Sequence, residues 1–395
     1  MSNGNGARWL GREVVIVEAA RTPNGRGHRT KGWFRDLQPN ELLGAVYRGV
    51  IERAGLDGEL VEEVIAGCVN QVGEQSNNIA RNAWLQAGLP VTTPATTVDI
   101  QCGSAQQSVT FAAGMIAAGL HDVMIGAGIE HMGRLPIGSN QAHPDEFGTP
   151  FPPALMDRYA LVSQGLSAEM IADRWEIPRA EQDELGLRSH QLAARATEEG
   201  RFEREIIPVE ADGEIRATDQ GIRRDTTLEA LAALKPAFKS DGSVTAGNAS
   251  QISDGAAAVL LTTREKADEL GLRPRARILD AATVGVDPVI MLTGPIPATQ
   301  KLLERNGMTI GDLDLIEINE AFASVVCAWR RELQPDMERV NVNGGALALG
   351  HPLGSSGARL ITTLLHELER SDGELGLVTM CTAGGNGTAT LIQRI

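Results

Sequence analysis

Aromatic side chains make up only 4% of the 395 residues, and cysteine occurs four times. So few rings leave the packing to aliphatic side chains and to backbone brought close together at glycines, of which there are 44. Cys68, Cys102, Cys327 and Cys381 stand far apart with no Cys-x-x-Cys pair. Such spacing excludes a disulfide framework and a cysteine-based zinc site, and it fits a reducing compartment. Basic residues are in deficit, with 36 Lys+Arg against 51 Asp+Glu and a net charge of −15. Nucleic acid and anionic membranes are therefore excluded as main partners, and any anionic ligand needs a local basic patch. No apolar run reaches the roughly 18 residues that a membrane-spanning helix needs. The N-terminal Met-Ser-Asn-Gly-Asn-Gly-Ala-Arg-Trp-Leu has no apolar region behind a basic one, so no secretory leader is expected and a cytoplasmic location is.

What the chain does contain is a repeated order of short apolar strands and amphipathic helices. Val14–Ala20 reads as a buried strand, and the periodicity predicts a helix from Pro39 to Ala54 with Asn40 as its N-cap. Strands follow at 64–69 and 96–100, with a helix over 78–87 between them. Cys102-Gly103-Ser104 opens a long helix to about Ala118, and 123–128 is the fourth strand. The same order returns later: a strand at 276–282, a helix over 297–306, a strand at 315–318 and a helix over 320–333. A strand leading from Val340, a glycine-rich turn and a helix to Leu368 come next, then a strand at 376–379. Two halves of like length and like order imply a duplicated α/β unit. Residues 1–128, completed by about 251–275, form the first half and residues 276–395 the second. The polar, proline-marked stretch 129–250 is read as an inserted loop domain lying over the active face.

The junctions match as well. Asn70 and Asn319 both end second strands, while Cys102 and His351 both lie between a third strand and its long helix. In a pseudo-twofold pair those strand ends meet, so residues distant in sequence share one site. His351 sits between Gly350 and Pro352, where a fixed backbone with little bulk around it lets the ring face a cleft. Cys102 at a helix start is expected to be a thiolate, because the positive end of the helix dipole and its free N–H groups favour the anion. Cys381 begins Cys-Thr-Ala-Gly-Gly-Asn-Gly, whose glycines let backbone approach a ligand. Taken singly, each has a plainer reading: a buried apolar cysteine, an exposed turn histidine, a capped helix start at Asn319. Four at matching strand ends point to catalysis.

These segments resemble the thiolase family, and the resemblance covers essentially the whole chain. Gln101-Cys102-Gly103-Ser104, Gly247-Asn248-Ala249-Ser250, Asp254-Gly255-Ala256-Ala257, Asn319-Glu320-Ala321-Phe322, Gly350-His351-Pro352 and the Cys381 loop occur in family order. The resemblance implies a five-layered αβαβα core of two similar halves, with an inserted loop domain that holds coenzyme A. It implies cleavage of a 3-ketoacyl-CoA by CoA. Cys102 would be the nucleophile, His351 its base, Cys381 the acid and then base for the acetyl-CoA half, and Asn319 the holder of a water at the enolate oxygen. The N–H groups of Cys102 and Ala383 would form an oxyanion hole, each donor worth about 3 kcal/mol in the barrier. Arg223 and Arg224 are expected at the CoA nucleotide, Ser250 along its pantetheine arm and Phe322 at the substrate. CoA is a co-substrate, and neither a metal nor another cofactor is implied. The partners expected are CoA and acyl-CoA esters and a second copy of the chain, as homodimer or homotetramer.

The sequence departs from the family pattern at Ala105 and Ala383, where thiolases usually have glycine. It also has Ser163-Gln164 where short-chain biosynthetic members typically have His-Met. Together with Gly73–Arg81, which is most similar to actinobacterial thiolases of steroid and bulky acyl-CoA breakdown, this favours a degradative enzyme with an open acyl pocket. The alternative is an acetyl-CoA C-acetyltransferase. A ketoacyl synthase-like condensing enzyme normally uses two histidines, and here Asn319 and Cys381 occupy the corresponding places.

Overall fold

The computed structural model describes residues 11–395. The chain begins with β1 (Val14–Arg21), α1 (Pro39–Ala54), β2 (Glu63–Gly67), α2 (Ile79–Gln86), β3 (Ala95–Val98), α3 (Ser104–Ala117) and β4 (Val123–His131). An insertion carries α4 (Gln164–Arg174) and α5 (Arg179–Glu198), and β5 (Ser253–Thr263) returns the chain to the core. The second half runs β6 (Ala276–Gly285), α6 (Pro295–Asn306), β7 (Leu315–Ile318), α7 (Ala323–Leu333), α8 (Ser356–Ser371), β8 (Leu375–Thr382) and β9 (Asn386–Arg394).

The strands lie in the order β7-β8-β9-β6-β1-β5-β4-β2-β3, with Gly25–Arg26 added beside β5. β1 and β6 share only two residue pairs, Val15 with Arg277 and Ile16 with Ala276. They are the seam between two half-sheets. Strand alternation then divides the apolar side chains into three clusters. On β1, β2 and β4, Val15, Val64 and Ile125 face α1 and α2, while Ile16, Ile65 and Met124 face inward. On the other half-sheet, Ile316, Leu377 and Leu391 face α6 and α7, while Leu315, Val378 and Ile392 face inward. The inward faces enclose α3 and α8, giving five layers, αβαβα. As part of the central helix pair α8 is buried from Ser356 to Leu368, its apolar side packed on the sheets and its polar residues Arg359, Thr362, Thr363, His366 and Glu367 buried as well.

The boundaries correct four expectations. Gln38 rather than Asn40 caps α1: its N–H donates to the Glu41 carboxylate at 2.7 Å, ahead of Pro39. The strand expected from Val340 is only a single bridge to Ile316, because the chain coils at Ala346–Leu349 to carry Gly350 and His351 inward. α7 starts at Ala323, not 320: Asn319 stays extended, its N–H donating to the Thr379 carbonyl at 3.0 Å. Cys381 lies within β8, and β9 follows it.

Candidate active site

The site gathers where strands of both halves end against the N-termini of α3 and α8. Three glycines permit the contact. A Cβ on Gly67 would lie 2.7 Å from the Gly354 oxygen, one on Gly128 2.0 Å from it, and one on Gly357 2.3 Å from the Gln106 nitrogen. The loop carrying His351 is thus seated directly on the start of the helix that follows Cys102. Buried Glu130, at the end of β4, fixes this junction. Its carboxylate accepts from the N–H of Val69 at 3.0 Å, Asn70 at 3.1 Å and Gly354 at 2.9 Å, and from Gln75 Nε2 at 2.8 Å.

His351 is 3% exposed, and its hydrogen-bond partners favour one tautomer. Ser356 Oγ lies 2.6 Å from Nδ1 and donates its own hydrogen to the Pro352 carbonyl at 2.8 Å, so it accepts from Nδ1–H. Nε2 therefore keeps its lone pair, and Asn319 Nδ2 donates to it at 3.3 Å. Burial, and then the charge of Arg359, push the His351 imidazole down to about 3, so the ring is neutral at pH 7. Backbone contacts hold it from the other side: the His351 N–H is 3.2 Å from both the Gln251 carbonyl and Ser253 Oγ.

Cys102 and Cys381 form the second pair. Burial pushes the Cys102 thiol up to about 12, against the N–H groups of Ala383 and of Cys102 itself, which point at its sulfur. This corrects the expected resting thiolate. α3 begins only at Ser104, and removal from water outweighs its dipole. Both N–H groups named for an oxyanion hole are thus directed at the Cys102 sulfur. Cys381 is raised well above the ordinary thiol value, first by burial and next by the negative charge Cys102 would carry.

The residues expected at CoA fall in two places. Ser250 and Phe322 share one wall: the Ser250 N–H donates to the Ala321 carbonyl at 2.9 Å, and Phe322 pairs with Ala249. Phe238 of the insertion meets Phe322 edge-on, with ring centroids 5.9 Å apart. Arg223 and Arg224 are exposed on the insertion. Arg224 pairs with Glu198, and the Arg223 N–H donates to His190 Nδ1 at 3.1 Å. Ser356, Glu130 and His190 carry parts of this geometry that sequence reasoning missed. Ser356 had a local signal in the Ser-Ser-Gly after Gly350-His351-Pro352; Glu130 and His190 are linked to the site only through tertiary contacts. Among the described residues no three His, Cys, Asp or Glu side chains are grouped to hold a metal ion.

Comparison with known proteins agrees with this arrangement. Residues 14–265 match the family description "Thiolase, N-terminal domain" and residues 272–394 match "Thiolase, C-terminal domain". The chain is 44% identical over 398 residues to the steroid 3-ketoacyl-CoA thiolase FadA6 of Mycobacterium tuberculosis, covering 99% of this chain and 97% of that one. It is 45% identical over 399 residues to an acetyl-CoA acetyltransferase of Syntrophomonas wolfei, covering 97% and 100%. Among solved structures, the acetyl-CoA acetyltransferase of Bacillus anthracis superposes with a TM-score of 0.89 at 39% identity, covering 97% of this chain and 99% of that one. The chain belongs to the thiolase family.

Proposed function

We propose that the protein is a degradative 3-ketoacyl-CoA thiolase that releases acetyl-CoA or propionyl-CoA and a shortened acyl-CoA in fatty-acid or steroid side-chain β-oxidation. The observation that carries this reading is a neutral, oriented base, His351 with Nε2 unprotonated beside Asn319, in a site that also holds two buried thiols and two N–H groups directed at the Cys102 sulfur. In the first half-reaction the Cys102 thiol gives its proton to His351 Nε2 and its sulfur attacks the 3-keto carbon. The N–H groups of Cys102 and Ala383 take the oxyanion. The C2–C3 bond breaks toward the thioester, Asn319 and His351 support the enolate oxygen, and the Cys381 thiol protonates the enolate carbon. In the second, the Cys381 thiolate takes the proton of CoA, whose sulfur attacks the Cys102 thioester. Cys102 leaves and recovers its proton from His351. The high resting thiol values suit this sequence, because proton transfer is coupled to attack and no unpaired thiolate waits in a dry site.

The insertion at 129–250 covers the site in this reading and binds CoA, with Arg223 and Arg224 at its phosphates, Ser250 along pantetheine and Phe322 at the acyl group. Cleavage is the favoured direction: a 1,3-dicarbonyl product reverts when CoA is abundant, and nothing in the chain couples the reaction to an energy source. A second copy is the proposed partner, in a homodimer or homotetramer. An open apolar cavity of about 490 Å³ beside edge strand β3, lined by Ile65, Val98, Phe111, Met115 and Leu120, supports a covered face there. A cytoplasmic location is supported by four free, buried cysteines. Comparable identity to acetyl-CoA acetyltransferases favours one alternative, acetoacetyl-CoA as substrate. A panel of 3-ketoacyl-CoA esters from acetoacetyl to steroid side-chain length, compared by kcat/KM, decides. If acetoacetyl-CoA leads by about tenfold, or 1.4 kcal/mol, the acetyltransferase reading replaces this one.

A further inference from the structure

The first turn of α3, which follows Cys102, is tied to the second half by one buried amide. Gln106 is fully buried, in the central layer that Val109, Leu360 and Val378 fill with apolar atoms. Its side chain reaches across to β8 and β9. Nε2 donates to the Val378 carbonyl at 3.2 Å and to Thr390 Oγ1 at 2.8 Å, and Thr388 Oγ1 donates to Oε1 at 2.6 Å. The carbonyl can only accept, so it fixes which end of the amide is nitrogen and leaves Oε1 for Thr388. An amide in an apolar layer is costly unless its bonds are made, and a fully bonded one specifies a single arrangement.

The partners of this amide are the supports of the site. Val378 pairs with Thr390 and Met380 with Thr388 along the two strands, and the next pair is Cys381 with Gly387. Thr388 also reaches the residue after Cys102: a Cβ on Gly103 would lie 3.1 Å from Thr388 Cγ2 and 2.8 Å from Thr382 Cγ2. Thr388 thus lies against the start of α3, its methyl at Gly103 and its hydroxyl on Gln106. Gln106 meets α8 as well, since a Cβ on Gly357 would lie 2.3 Å from its nitrogen. Gly357 follows Ser356, the acceptor for the His351 ring. One residue therefore touches the elements that carry Cys102, Cys381 and His351.

We propose that Gln106, acting through Thr388, is a positioning residue that holds the Cys102 sulfur in register with the end of β8. The register matters because the N–H of Ala383, the residue just past β8, is directed at that sulfur. Apolar side chains of the same shape would fill the layer yet leave the register loose, since cores lose uniqueness of packing before they lose stability. This role presupposes Cys102 as the nucleophile of the proposed reaction.

The test removes the bonds and keeps the volume. Thr388→Val keeps the shape without the hydroxyl, Gln106→Met removes the amide, and Thr388→Ser keeps the hydroxyl. Two rates are measured on the full-length protein: iodoacetamide labelling of each cysteine by peptide mapping, and single-turnover acylation by a 3-ketoacyl-CoA. Thr388→Val and Gln106→Met should each slow Cys102 labelling and acylation about tenfold, less than the loss of a whole oxyanion donor. KM for CoA should stay within about twofold of native. The double variant should be no slower than the slower single one, because both changes remove the same contact. Thr388→Ser should stay near native in both rates. A merely structural role gives another pattern: Tm falls and buried Cys68 and Cys327 label faster, while Cys102 keeps its native rate below the transition. Native labelling of Cys102 or native acylation in Thr388→Val overturns the proposal, and so does a Ser variant as slow as Val. Should Gln106→Met not fold, Thr388→Val against Thr388→Ser decides. Labelling needs no turnover, so it stands apart from the thiolase reading, which fails separately if no 3-ketoacyl-CoA is cleaved.

Discussion

Replacing Ser356 with alanine removes one oxygen and tests how His351 is made a base. Ser356 Oγ is the acceptor for His351 Nδ1–H at 2.6 Å, in a site where both residues are buried. Without it the N–H loses its acceptor, a loss of about 1–3 kcal/mol. Rotating the ring, or moving its proton to Nε2, would relieve the loss but remove the lone pair that receives the Cys102 proton. Either way the penalty falls on the proton-transfer step, so kcat should drop about 5- to 150-fold, the rate equivalent of that loss. KM for CoA should stay within about twofold, since the residue contacts the base and not the nucleotide. Ser356→Thr, which keeps a hydroxyl, should retain most of the rate. Steady-state thiolysis of a 3-ketoacyl-CoA measures all three. A Ser356→Ala enzyme with native kcat, or with a raised KM alone, would refute the tautomer argument.

Three further outcomes follow from separate observations. Arg223→Ala with Arg224→Ala should raise KM for CoA about tenfold or more through lost phosphate contacts, with kcat nearly unchanged; an unchanged KM removes both arginines from the CoA site. Gly128→Ala puts a Cβ 2.0 Å from the Gly354 oxygen, so it should destabilise by about 1–3 kcal/mol in urea unfolding and lower kcat by displacing the His351 loop. Native stability and rate together would contradict that packing. Glu317 binds its proton more tightly when folded, with its value raised from 4.5 to about 8, so its contribution is fully present below 4.5 and lost as pH rises toward 8. Native Tm should therefore fall relative to Glu317→Gln across that window, and parallel curves would contradict the raised value.

The parts of this protein legible in its sequence are those written in local pattern. Strand and helix periods gave the duplicated order, and chain order placed Cys102, Asn319, His351 and Cys381 at matching junctions. Asn319 and His351 are indeed in contact. The resting state of Cys102 was misread because a helix start is visible in sequence and burial is not. Desolvation of the thiol depends on packing from elsewhere in the chain, as where Thr382 and Thr388 close on neighbouring Gly103. The strand expected from Val340 failed for a related reason. Its alternating residues suit a strand, but Gly344, at φ +76°, and the coil at Ala346–Leu349 turn the chain toward the site. Arg359 looks like an ordinary polar position on a helix, and only the central layer buries it, with Glu317 at 3.7 Å.

The central claim is that Cys102 carries the acyl group between the two half-reactions. The protein should be mixed with a 3-ketoacyl-CoA in the absence of free CoA, quenched in acid within the first turnover, and measured by intact mass and peptide mapping. The account predicts one acyl group per chain, in thioester linkage on Cys102, discharged when CoA is added and absent from Cys102→Ser. Acyl label on Cys381, or turnover with no acyl-enzyme at any quench time, would contradict it.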